Sequence, residues 1–486
     1  MDRKLTKGGP GDKFLGGGKV DTSKWFKNIP DLEKQIKDEE IWFCTAPFQM
    51  IYTSTRGELL PCSWAEENIG PNIKNVKGTD YYKHDDMLND LREEMVTPGS
   101  DLKLATSVCK NCMYQEKHFG RSRRQAALKI QSNDIRLWPR IRNAVVEFRK
   151  DRRLTLNERL LEVQVKAFGN TCNLDCYMCI PYDSSTRMAT MHSEELKHEN
   201  IFSKFAKTQP KLVDKHTIDD IIEDIADIAP YIYNLKLIGG EPLVMKKFYK
   251  LLEKIVESGE AKNIIVKYQT NMTTMEFERL KISEFIPHFH IFEFTVSIDS
   301  MGKANNYIRR RSNWEEIVRN IKHVSQYPNV EVNINGAISF LSVLRFWELI
   351  DWVNDNLDMF NQVNWSNIRT PAKLCANVLP KPLKEKLIPF YEGFPDRKSS
   401  FFQSRRVPWN QASHTLSKEE PKGLVPNKPY YGETLDYQDT LDYLLMNDEH
   451  YKGTKWEMDI FDTFPELEEY YIPKQRRIEL INSSNT

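Results

Sequence analysis

The feature that most limits how this 486-residue chain can fold is an alternation of short apolar runs with amphipathic stretches between residues 161 and 368. Runs at 161–167, 235–238, 264–268, 292–298, 330–339 and 362–368 read as six strands. Between them, 217–229 carries Ile218, Ile221, Ile222, Ile225 and Ile228 at helical spacing, with Thr217 placed to cap it and Pro230 to stop it. Residues 247–257 repeat the pattern with Phe248, Leu251, Leu252, Ile255 and Val256, and Gly259 follows the end. Further helices are expected at 314–324 and 346–353. Parallel neighbours require such crossovers, so the pattern predicts an α/β domain with a parallel sheet curled into an open barrel.

The flanks read differently. Residues 1–40 pass through Gly8-Gly9-Pro10-Gly11 and Gly16-Gly17-Gly18 and are expected to form a flexible arm, with order from Ile41. Residues 41–125 are loop-rich, with a β-hairpin turning at Ser54-Thr55-Arg56-Gly57 and a helix at 87–96. Residues 126–158 form a basic helical connector, read as a solvated face in preference to a phosphate-binding one. After a core at 159–375, a C-terminal extension at 376–486 holds a long loop at 399–428 and helices at 434–446 and 461–471. Lys plus Arg and Asp plus Glu both number 69, which argues against a globally basic nucleic-acid binder. No run of eighteen apolar residues and no export signal is read, so a cytoplasmic protein with no membrane partner is expected.

The eight cysteines are too few for a disulfide scaffold and fall in tight groups, which points to metal ligation. Cys172, Cys176 and Cys179 form C-x3-C-x2-C just after the first strand of the core. Three thiolates on one loop can hold three corners of an iron–sulfur cubane and leave one iron open, as a catalytic metal requires. A zinc knuckle with a distant fourth ligand is the structural alternative. Cys44, Cys62, Cys109 and Cys112 make a second set, able to close a cluster completely or to hold a structural zinc. Cys375 is left over and is expected to be a small buried residue.

The run from Asn170 to Cys179 resembles the cluster loop of radical S-adenosylmethionine (SAM) enzymes. Gly239-Gly240-Glu241-Pro242 after the second strand is similar to that family's glycine-rich SAM motif. Thr270-Asn271, Ser297-Ile298-Asp299 and Tyr307-Ile308-Arg309 follow in the family's order. The resemblance implies a partial (β/α)6 TIM-like barrel in which Cys172, Cys176 and Cys179 bind a 4Fe–4S cluster and SAM chelates the open iron. It implies SAM contacts from Met178 (through its backbone, where the family commonly has an aromatic residue), Gly239, Gly240, Glu241, Pro242, Thr270, Ser297 and Arg309. Asn335 and Trp365 are assigned to the adenine pocket by position, with core packing nearly as good an account of Trp365. The segments around Cys62 and Cys109–Cys112 resemble the twitch module, the short relative of SPASM, which carries one auxiliary 4Fe–4S cluster. Here this small α+β module precedes the barrel instead of following it.

The expected activity is therefore that of a radical SAM oxidoreductase or maturase. A reduced cluster cleaves SAM to a 5′-deoxyadenosyl radical, which removes hydrogen from a substrate, and the auxiliary cluster accepts an electron. A peptide or protein substrate is favoured and an electron donor such as flavodoxin or ferredoxin is implied. Dehydrogenation of a small-molecule alcohol is the alternative within enzymes. A zinc-stabilised nucleic-acid-binding protein using the basic segment 121–153 is the alternative of another class.

Overall fold

The structure, a computed structural model, describes residues 32–66, 69–120, 122–156, 161–197, 212–368, 371–392 and 437–484. The glycine-rich stretch of the expected arm and the 399–428 loop lie outside the described residues. A helix at Leu32–Lys37 with Leu32 fully buried shows that packing starts before Ile41.

Twelve strands occur in chain order among the described residues. They are β1 (Met50–Thr53), β2 (Leu59–Leu60), β3 (Leu161–Val165), β4 (Asp175–Cys176), β5 (Ile232–Leu237), β6 (Ile265–Thr270), β7 (Glu276–Phe277), β8 (Leu280–Lys281), β9 (Ile291–Ser297), β10 (Arg309–Arg310), β11 (Val330–Ile338) and β12 (Gln362–Asn367). Eight of them form one sheet in the order β12-β11-β9-β6-β5-β3-β1-β2. The six strands from β3 to β12 in this order are parallel, the signature of a partial TIM-like barrel. The N-terminal hairpin forms as expected, with Gly57 at φ +82°, but it is not a separate layer. Strand β1 pairs in parallel with β3 and extends the barrel sheet by two strands.

Alternation along these strands sorts side chains onto two faces. Leu161, Val163, Leu235, Leu237, Val266, Tyr268, Phe292, Phe294, Val332 and Ile334 pack with the helices in one continuous core. Helices Lys215–Asp227, Lys246–Glu257, Trp314–Val324 and Ser342–Asp355 cover that face. The first is capped by Asp214, whose carboxylate accepts from Thr217 N at 2.9 Å, so the cap lies three residues before the expected Thr217. On the opposite, concave face Met50, Tyr52 and Leu60 anchor a smaller core.

The basic connector is two helices, Arg123–Gln131 and Leu137–Asp151. Its arginines bond within the protein: Arg124 to Glu116, Arg136 to Asp134, Arg142 to Glu33, Arg149 to Val96 O and Arg152 to Asp90. That arrangement does not suit a phosphate-binding face. In the C-terminal part, a helix runs over Tyr437–Tyr451. The helix expected at 461–471 divides into Ile460–Thr463 and a 3-10 segment Pro465–Tyr470, since Pro465 has no N–H to continue the first. No described helix is long and apolar enough to cross a membrane.

Candidate active site and cysteine centres

The three-cysteine loop leaves the C-terminal end of β3, the edge at which parallel barrels place their chemistry. Short-range hydrogen bonds give it its shape. Cys172 N donates to Ser185 Oγ at 3.2 Å, Leu174 N to Cys172 Sγ at 3.5 Å, and Cys179 N to Cys176 O at 3.0 Å. Cys176 lies on β4, paired antiparallel with β10 so that Arg309 stands opposite Cys176 and Arg310 opposite Asp175. Burial pushes the Cys172 thiol up to about 12, helped by Cys176 and Glu241. Burial likewise raises Cys176 to about 11, with Arg309 pulling the other way. Cys179 is raised by burial and then by Cys176 and Cys172, so the three thiols share one pocket.

The Gly239-Gly240-Glu241-Pro242 turn packs directly on this loop. Gly239 has φ +110°, and a Cβ there would stand 2.9 Å from Gly169 O. At Gly240, φ +43°, a Cβ would stand 2.1 Å from Thr171 O. Only glycine allows this approach. Glu241 N donates to Thr171 O at 2.8 Å. The Glu241 side chain is buried and accepts from Asn271 N at 2.6 Å, Thr270 Oγ1 at 2.8 Å and Leu243 N at 3.0 Å. Burial pushes its carboxyl up to about 7 despite these donors. Pro242 opens the short turn Pro242–Val244 that supplies Leu243 N. Thr270 is thus a partner of Glu241 rather than a free hydroxyl.

Arg309 is held between two groups: its Nε lies 2.8 Å from Asp299 Oδ2 and its Nη1 lies 3.8 Å from Cys176 Sγ. Ser297 and Asn335 sit in register on the concave face, with Asn364 beside Asn335. Met178 is half-buried against the main core. Trp365 is a correction. It pairs with Gly336 on the helix-facing side, packs edge-on against Phe346 at 4.5 Å, and fills the space a Cβ on Gly336 would need. It is a packing residue and does not line the concave face.

A network absent from the sequence reading clamps the loop from behind. Buried Arg187 pairs with buried Asp175 at 3.0 Å and donates to Asn447 Oδ1 at 3.0 Å. Tyr451 donates to Asp175 Oδ2 at 2.8 Å. Arg310 is fully buried. It pairs with Asp448, bonds the Tyr177 hydroxyl, and lies 4.6 Å over the Tyr307 ring. Asn447, Asp448 and Tyr451 all belong to helix Tyr437–Tyr451.

The second cysteine set is gathered on the concave side of β1 and β2. Cys44, Cys62 and Cys109 pack against the smaller core, whose strand residues are Met50, Tyr52 and Leu60. Cys109 lies between helices Lys103–Val108 and Lys110–Phe119, and Cys112 is inside the latter. Burial raises Cys109, followed by Cys44, Cys62 and Cys112, which puts all four thiols in one pocket. Cys44 is raised by burial to about 12, with Arg124 opposing. Arg124 donates to both oxygens of Glu116 at 2.8 Å and lies 4.4 Å over Trp42. Among the described residues no three His, Cys, Asp or Glu side chains converge on a single-ion position. A cubane takes one thiolate per iron, so its ligands must share a pocket without meeting at a point. Both sets fit that requirement. Cys375 is buried and its thiol donates to Ile368 O, away from both.

Comparison with known families matches residues 167–338 to the radical SAM superfamily. No curated protein matches the chain. Among solved structures, native anSMEcpe with bound AdoMet is 17% identical, with 50% of this chain and 62% of that one covered and a TM-score of 0.34. Streptococcus suis SuiB bound to S-adenosylmethionine is 14% identical, with 66% and 62% covered and a TM-score of 0.32. SuiB bound to the precursor peptide SuiA is 15% identical, with 67% and 63% covered and a TM-score of 0.31. The chain thus spans less than two thirds of the length of these structures.

Proposed function

Residues 167–338 are a radical SAM superfamily domain, and on that premise we propose that the chain is a radical SAM oxidoreductase or maturase with an auxiliary 4Fe–4S cluster, acting on a peptide or protein. The observation that carries this reading is the gathering of three thiols on one loop, Cys176 buried and Cys172 and Cys179 half-buried, with Gly239, Gly240 and Glu241 packed on it. When bound, the cluster and SAM supply a 5′-deoxyadenosyl radical that takes a hydrogen atom from substrate.

The chain's own residues prepare that chemistry. Cys172, Cys176 and Cys179 must give up their protons to ligate iron, and burial makes this costly in the metal-free protein. Arg309 places a fixed positive charge beside Cys176 and favours its thiolate. Glu241 holds a carboxylate for an ammonium group, oriented by Thr270 Oγ1 and two backbone N–H groups. Ser297 and Asn335 offer polar atoms at the same edge of the concave face. The N-terminal module covers one side of that face and would keep water from it. Arg124 supplies positive charge beside the four thiols of the second set.

Iron and sulfide counted after anaerobic reconstitution should give about eight irons per chain. Incubation with SAM and dithionite should form 5′-deoxyadenosine. Cys109→Ala should lower the iron to about four while 5′-deoxyadenosine still forms. No 5′-deoxyadenosine from fully loaded protein would refute the reading.

A further inference from the structure

The turn after β9 and the short strand β10 bring two opposite charges together beside the three-cysteine loop. Asp299 is fully buried. Its N–H donates to Asn305 Oδ1 at 3.2 Å, and its Oδ1 accepts from Ala337 N at 2.7 Å, which joins the ends of β9 and β11. An uncharged amide would serve that second bond equally well. The other oxygen, Oδ2, lies 2.8 Å from Arg309 Nε but off the hydrogen-bond direction, so this contact rests on charge. A buried carboxylate is costly unless a cation faces it, and Arg309 is the cation that does so.

Arg309 turns its other side to the cysteines. Its Nη1 lies 3.8 Å from Cys176 Sγ, within reach of an N–H···S bond. The backbone on both sides is fixed: Tyr177 N donates to Ile308 O at 3.2 Å, and Arg310 is pinned by Asp448. A lysine could not serve both groups, because an ammonium is a single point and a guanidinium carries separate donors in one plane. Asp175 and Arg187 also act on Cys176, but they face each other at 3.0 Å and largely cancel. Glu241 and Cys179 lie within the field of Arg309 as well. At Cys176 the effect of Arg309 exceeds the opposing effect of Asp299, as it must when the cation stands nearer.

We propose that Asp299 is a positioning residue that holds Arg309 against Cys176, and that the two form an opposed charge pair setting how readily an iron–sulfur cluster on this loop takes up one electron. A cation and an N–H donor at a cysteine sulfur favour the more negative, reduced state, and an anion opposes it. The inference rests on the radical SAM reading and deepens it. It gives Arg309 work to do before SAM arrives, separate from the SAM contact that the resemblance implies.

The test measures the midpoint potential of the full chain, reconstituted anaerobically without SAM, in a Cys109→Ala background that removes the second cysteine set as a cluster site. Dithionite supplies the electron, and electron paramagnetic resonance reads the reduced state. Arg309→Met should make reduction harder by about tenfold in the equilibrium, about 59 mV for one electron. Asp299→Asn keeps an acceptor for Ala337 N and should move the potential the opposite way. The double variant should return towards the parent value. Arg309→Lys keeps the charge without the two-sided reach and should lie between the parent and Arg309→Met, which preserves the test if Asp299→Asn does not load iron. A role in folding alone would change stability and iron content without shifts of opposite sign. Potentials that stay unmoved, or that both single variants move in the same direction, would overturn the inference. If the parent chain assembles no reducible cluster on the three-cysteine loop, the radical SAM reading itself fails and takes the inference with it.

Discussion

Replacing Asp448 by alanine tests whether the C-terminal helix holds the cysteine loop through charge. The Arg310 side chain is 0% exposed and that of Asp448 10%. Without the carboxylate, Arg310 keeps Trp456 O, Met458 O and the Tyr177 hydroxyl as acceptors but loses its counter-ion. The Tyr307 hydroxyl and Ile460 N lose acceptors at 3.1 Å and 2.9 Å. Breaking one side of a buried ion pair costs about 3–5 kcal/mol, so a loss of about 4 kcal/mol is expected. Burial pushes the Asp448 carboxyl up to about 6 even beside Arg310, so desolvation outweighs the attraction between the two. Removing both charges with Arg310→Met and Asp448→Leu should therefore recover most of the loss. Urea denaturation of the apoprotein, followed by tryptophan fluorescence, measures the stabilities, and iron content reports on the loop. A loss below about 1 kcal/mol for Asp448→Ala, or a double variant as damaged as the single one, would refute the reasoning.

Gly240→Ala should cost about 2–4 kcal/mol, because its Cβ collides with Thr171 O at a positive φ, and reconstituted iron should fall to about four per chain. The Glu241 carboxyl is raised from 4.5 to about 7, so the folded chain holds this proton more tightly than the unfolded one. The stability this contributes is present in full below the unfolded value and is lost as pH rises to about 7, about 3 kcal/mol in all. Melting temperatures of the apoprotein should fall across that window and flatten in Glu241→Gln. Arg124→Met leaves Glu116 without its two-point partner and removes the cation that acts on Cys44 and Cys109; iron should again fall to about four, this time from the second set.

The six core strands were legible because buried parallel strands and their crossover helices carry opposite periodicities. Their ends were less so: β5 begins at Ile232, directly after the 3-10 turn Ala229–Tyr231, and not at Leu235. Gly239, Gly240 and Glu241 were identified by resemblance, and the structure supplies the physical reason for the glycines, a backbone contact with the cysteine loop. Trp365 was misplaced because a period of two says which residues share a face but not which face the helices cover. The joining of β1 to β3 was also out of reach, since no local pattern records a pairing between Tyr52 and Gln164.

By itself the sequence determined the two cysteine sets, the barrel class and the glycine turn, because each is a matter of residue type and short-range spacing. The tertiary structure decided what surrounds them. Arg187 meets Asn447 across 260 positions and Tyr451 meets Asp175 across 276. Asp299, Arg309 and Cys176 meet only once the turn after β9 and strands β4 and β10 are packed together. Burial and counter-charge depend on every element packed around a side chain, and no stretch of neighbouring residues encodes them.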